Sequence, residues 1–172
     1  MKISGRNLKR RMFKMSIIGN RLSRLKHFRG HGVHSPYVYG LVRKVLMHKT
    51  LDPNTEHPLF VKLVCKGVAK RRAIELQNLA YYNHETTFSI DDIECTSHIN
   101  IITNAVDIEL LATAAERAKS NGTTLVILSP YQSRKRRECC SEILWRHNST
   151  SVDNRGYIIL FNNHLPKQHY KL

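Results

Sequence analysis

The sequence predicts an α/β fold: a mostly parallel sheet, closed at one end by an antiparallel pair and preceded by a helical N-terminal region. Three observations predict it. From residue 86 to residue 161, short β-prone runs alternate with longer helical stretches, the order that gives βαβ crossovers. Thr124-Leu125-Val126-Ile127-Leu128 runs without polar alternation, as a strand covered on both faces does. The last two β-prone runs, Ser149–Asp153 and Tyr157–Phe161, are separated only by Asn154-Arg155-Gly156. That gap is too short for a crossover, so the two must pair antiparallel.

Taken in order, residues 6–28 place Leu8, Met12, Met15, Ile18, Leu22 and Leu25 at helical spacing opposite Lys and Arg. This is a basic amphipathic helix with a break near Gly19-Asn20. It can lie on a membrane, on nucleic acid or on its own domain. Ser35 can cap the next helix and Pro36 suits its first position. Val38, Leu41, Val42, Val45 and Leu46 then form one apolar stripe that carries this helix to near His48. Pro58 opens a further helix, buried through Leu59, Leu63, Val64 and Val68, which runs on or kinks through Leu76 and Leu79 to end at Asn83-His84-Glu85. Thr86–Ile90 and Ile99–Thr103 read as strands joined by a polar turn. Asp107–Lys119 reads as a helix stopped by Asn121-Gly122, and Arg134–Arg146 as another. The domain reading is a basic helical arm and loop over residues 1–35 and a single α/β domain over 36–172.

The charge is unevenly placed. The net charge is +15, and residues 1–51 hold thirteen Lys and Arg but no acid. Such an arm attracts polyanions: nucleic acid, a ribosomal surface or acidic lipid. A solvated basic helix that aids solubility is the plain alternative. Arg134-Lys135-Arg136-Arg137 offers a second basic cluster, and Tyr37, Tyr39, Tyr81 and Tyr82 are aromatics that could stack on bases. Four cysteines show no C-x-x-C spacing, and the ten histidines form no metal-binding pair. Reduced thiols, no signal peptide and no long apolar run suggest a cytoplasmic protein without a transmembrane segment.

The stretch Arg29-Gly30-His31-Gly32-Val33-His34-Ser35-Pro36 joins the arm to the domain. Arg29, His31, His34 and Ser35 sit around a helix start, where N–H groups favour an anion. They are the candidate ligand contacts; a capped turn with locally bonded histidines is the alternative.

The same stretch, continued through Tyr37-Val38-Tyr39, resembles the R-H-G-x-H-S-P-F-V-F signature of a bacterial group of class I S-adenosylmethionine-dependent methyltransferases. The other end is similar to that group too: Gly156-Tyr157-Ile158-Ile159-Leu160-Phe161, then Pro166-Lys167-Gln168-His169-Tyr170-Lys171-Leu172, against a G-[IL]-V-F-F strand and a K-Q-H-F-type tail. The resemblance implies a truncated Rossmann-like methyltransferase sheet. The family's strand order is 3-2-1-4-5-7-6, and strands 2 and 3 have no room here. The remaining order, 1-4-5-7-6, leaves strand 1 as an exposed edge, open to the N-terminal helices, to a second copy or to a full-length relative.

The resemblance also implies a site that has been emptied. The family's E-x-G-x-x-x-G aligns with Ser89-Ile90-Asp91-Asp92-Ile93-Glu94-Cys95, so Asp91 and Cys95 replace both glycines. Its I-D-G-N-H run aligns with Ile102-Thr103-Asn104-Ala105-Val106, and its D-D pair with Ser129-Pro130. These losses imply a degenerate protein without catalytic residues and without a cofactor, acting as a basic binding or interaction protein. The alternative is an active methyltransferase that uses S-adenosylmethionine in a pocket rebuilt within a homodimer, with His31 or His34 as base.

Overall fold

The computed structural model describes residues 35–163 and 165–172. The expected basic helix over residues 6–28, and Arg29, His31 and His34, lie outside the described residues.

The chain folds as an α/β protein with five helices and a six-stranded mixed sheet among the described residues. Helix α1, Pro36–Leu41, continues into a π-helical stretch, Val42–Leu46. Helices α2 (Pro58–Cys65) and α3 (Lys70–Tyr82) follow. Then come β1 (Phe88–Ile90), β2 (Ile99–Ile102), α4 (Leu110–Asn121), β3 (Thr124–Leu128) and α5 (Arg134–Arg146). Strands β4 (Ser151–Asn154), β5 (Tyr157–Leu160) and β6 (His169–Lys171) close the chain.

Local chemistry explains the helix boundaries. The Ser35 hydroxyl accepts from the Val38 N–H at 3.4 Å, and Pro36 fills the first position of α1. The expected long helix from Pro58 is instead two. Gly67, at φ +78°, ends α2 in a Schellman motif: Val68 N–H donates to Leu63 O and Gly67 N–H to Val64 O. Gly122 does the same for α4, with Thr123 N–H on Ala118 O. Helix α3 ends in the same pattern, but the left-handed position is held by His84, at φ 57°.

The sheet order is β1-β2-β3-β5-β4-β6. β1 pairs parallel with β2, β2 with β3, and β4 with β6, while β5 runs antiparallel to both β3 and β4. The antiparallel closing pair thus forms as expected, and β1 is an edge. Two expectations need correction. The five-strand order is incomplete, because His169–Lys171 adds a strand beside β4, anchored by Ser151 N–H on Gln168 O at 2.8 Å. The sheet is also mixed, with antiparallel pairing at its centre and not only at its end.

Alternation along the strands splits the core in two. Ile99, Ile101, Val126, Ile159 and Phe161 pack with Leu41, Leu59, Leu63, Leu76 and Leu79 of α1–α3. Ile102, Leu125, Ile127, Ile158 and Leu160 pack on the other face with Leu111, Ala114, Ala118, Cys140 and Ile143 of α4 and α5. Each fully buried aliphatic side chain contributes about 1.5–3 kcal/mol. No helix among the described residues is long and apolar enough to cross a membrane.

Candidate functional site

An open α/β sheet binds ligands beyond the carboxyl ends of its parallel strands. Here those ends are Asp91 after β1, Thr103 after β2 and Ser129 after β3, and all three are engaged internally. The Asp91 carboxylate accepts from the Thr103 N–H at 2.7 Å and the Thr103 hydroxyl at 3.1 Å, and pairs with Lys66 at 2.8 Å. Asp92 accepts from the N–H groups of Glu94 and Thr96. The turn amides that a ligand would use are therefore capped by the chain's own carboxylates.

The next crevice, between β2 and β3, is filled from α5. Ser133 caps this helix through the Arg136 N–H at 3.1 Å, which fixes the first turn. Arg136 is 2% exposed, and its guanidinium donates to Thr103 O and Leu128 O, each at 3.1 Å. The basic cluster 134–137 thus splits: Arg134 and Lys135 face solvent, while Arg136 is a plug.

Two features of the β1–β2 connection stand out. Eight residues return the chain between parallel neighbours, where a helix usually intervenes. Asp91 and Cys95, the residues aligned with the two glycines, both have left-handed backbones, with φ 61° and 52°. Such φ values are uncommon for residues with a Cβ. Cys95 is fully buried under α4, bonded to Ala114 O, and burial pushes its thiol up from the ordinary range. Beneath this connection the register partners Ser89 and Asn100 each keep a buried side-chain oxygen without a hydrogen-bond partner.

Among the described residues the opposite end of the sheet is open. A cavity of about 980 Å³ lies where Glu85 leads into β1 and where Gly122 and Thr124 begin β3. Three of the four candidate stacking aromatics line it: Tyr37, Tyr81 and Tyr82. Tyr39 projects elsewhere, 48% exposed. The Tyr37 and Tyr82 rings are 5.6 Å apart, and the Tyr37 hydroxyl donates to Asn83 Oδ1 at 2.6 Å. Burial pushes the Tyr37 phenol up and raises the Glu85 carboxyl above its ordinary 4.5, although the Thr124 hydroxyl donates to it at 2.9 Å. Lys44, His48 and His84 supply cationic or hydrogen-bonding groups.

Of the candidate contacts in the signature, only Ser35 is described, and its hydroxyl serves as a helix cap. The four cysteines are free thiols, and no cluster of metal-ligating side chains occurs among the described residues. Sequence reasoning missed the roles of Arg136 and Asp91 as internal plugs and the cavity at the amino end. The signal for Arg136 lay in its spacing: it is four residues before Cys140 and seven before Ile143, on one face of α5.

The residues at the carboxyl end do not fit S-adenosylmethionine. The turn amides are occupied, Arg136 fills the neighbouring crevice, and among the described residues no strand lies beyond β1 to present a carboxylate to a ribose. Comparison with protein-family models, with curated proteins and with solved structures finds no match.

Proposed function

We propose that this chain is a non-catalytic binding protein built on a degenerate class I methyltransferase scaffold, with a polyanion as its ligand. One observation carries the loss of catalysis: Asp91 stands where the resemblance expects a glycine and bonds Thr103 across the strand ends. The lineage is supported by backbone geometry. Asp91 and Cys95 have the left-handed φ that the aligned glycines would adopt without strain; Asp tolerates it and Cys does not favour it. A lineage that replaced the glycines but kept the turn leaves this trace. The net charge of +15 supports the polyanion.

Calorimetric titration with S-adenosylmethionine and S-adenosylhomocysteine tests the first half. The expected result is no binding up to about 1 mM, a free energy no better than about −4 kcal/mol. Micromolar affinity would restore an active site and overturn the reading. The second half predicts binding to polyanions that weakens steeply with salt.

A further inference from the structure

We propose that the carboxyl end of the sheet carries a phosphate-backbone docking face for nucleic acid, distinct from the N-terminal arm. This deepens the polyanion reading above and rests on it.

Two basic runs, far apart in sequence, meet at this end. Lys70, Arg71 and Arg72 open α3, and Arg134, Lys135 and Arg137 form the start of α5. The helices lie on opposite faces of the sheet, yet both begin at its carboxyl end. A continuous set of contacts joins them. Arg72 lies against Gly156, whose carbonyl accepts from the Ser129 N–H at 2.7 Å, and Ser129 leads directly into α5. Between them Arg155 turns β4 into β5 and is exposed.

The charge there is offset only in part, with Asp107 and Glu109 exposed before α4 at the same end. Neither helix has an acid in its first turn, so its cations oppose the N-terminal dipole. Glu75 and Glu138 are occupied by Arg71 and Arg134. Lys70, Lys135 and Arg155 have no carboxylate partner among the described residues. An anion at this face relieves both the mutual repulsion and the opposition to the two dipoles.

Nucleic acid fits better than a membrane. The exposed large apolar side chains, Val61, Leu110 and Trp145 among them, belong to none of the three basic segments. Leu110, at the start of α4, is exposed at this end, and a single apolar side chain gives only shallow insertion below headgroups. Most of the cations are arginines, whose planar forks match phosphodiester oxygens.

The test is fluorescence anisotropy on the full chain, with a single-stranded RNA and a duplex DNA of about 20 nucleotides per strand, across a salt series. Sedimentation with vesicles containing about 30% phosphatidylserine is run beside it. The variant K70Q/K135Q/R155N removes three exposed cations, Asn being a residue that tolerates positive φ. Expected is nucleic-acid binding by the parent, with a salt slope shallower by about 2–3 in the variant and affinity down at least about tenfold. The three single variants each carry about a third of that change, which keeps the result readable if the triple variant melts early. Binding with an unchanged slope would leave the arm as the contact and overturn this proposal alone. Vesicle binding without nucleic-acid binding would overturn it in favour of a lipid surface. No binding to any of the three would overturn the polyanion reading itself.

Discussion

The two ends of the central sheet are finished in opposite ways. At the carboxyl end, Asp91, Asp92 and Arg136 turn inward and satisfy the peptide groups that strand ends leave bare. At the amino end, Tyr37, Glu85 and His84 surround an open cavity of about 980 Å³. Both ends contain residues in left-handed backbone, Asp91, Ser129 and Arg155 at one and His84 at the other. The difference teaches that backbone strain does not by itself mark a working site. At the closed end the strained turn is held by side chains that bond its amides. At the open end the strained residue simply ends a helix.

The sharpest way to break this contrast is to unplug the closed end. Arg136→Ala leaves Thr103 O and Leu128 O without their donor and opens a void, so a loss of about 3 kcal/mol is expected in urea denaturation. A loss under about 0.5 kcal/mol would show that the plug is dispensable. Asp91→Ala comes next, at about 2 kcal/mol, since it removes the acceptor for Thr103 and keeps a Cβ at φ 61°. Asp91→Gly removes the same acceptor but relieves the backbone, and about half that loss is expected. Equal losses in the two variants would mean that Asp91 is not strained.

The amino end should be more tolerant. His84→Gly is expected to stabilise by about 1 kcal/mol, because glycine adopts the left-handed helix stop freely. The smallest effect is in pH dependence. Burial raises the folded Glu85 carboxyl above its ordinary 4.5, so the unfolded chain ionises first. This group therefore contributes stability at acid pH that is lost as pH rises through 4.5 towards its folded value. Glu85→Gln should remove that decline in a melting series, while leaving intact a second decline with the opposite sign. Burial lowers His147 below its ordinary 6.5, so stability falls as pH drops below 6.5 towards the folded value. A Glu85→Gln profile parallel to the parent above pH 4.5 would contradict the assignment.

How much of this was legible depends on how local the cause is. Strand β3, helix α5 and the antiparallel β4–β5 pair follow from apolar runs, helix formers and a three-residue turn, all readable within a short window. The stop after Asn121 follows from one glycine. The candidate site was legible only in part. The replacement of the aligned glycines by Asp91 and Cys95 could be read, but their backbone angles and bonds could not. Helical spacing to Cys140 and Ile143 puts Arg136 on the inward face, but its partners, the carbonyls of Thr103 and Leu128, are brought there by two other strands.

The sequence by itself determined the α/β class, the order of most of its elements and the excess of positive charge, since periodicity, capping residues and composition act through neighbours along the chain. Tertiary structure alone decided three things. His169–Lys171 became a strand because the free edge of β4 offered partners to a segment with exposed ends and no apolar run of its own. The carboxyl end closed because groups remote in sequence could satisfy one another there. The basic starts of α3 and α5 became one face because both helices run antiparallel to the same parallel strands, which delivers their first turns to the same end.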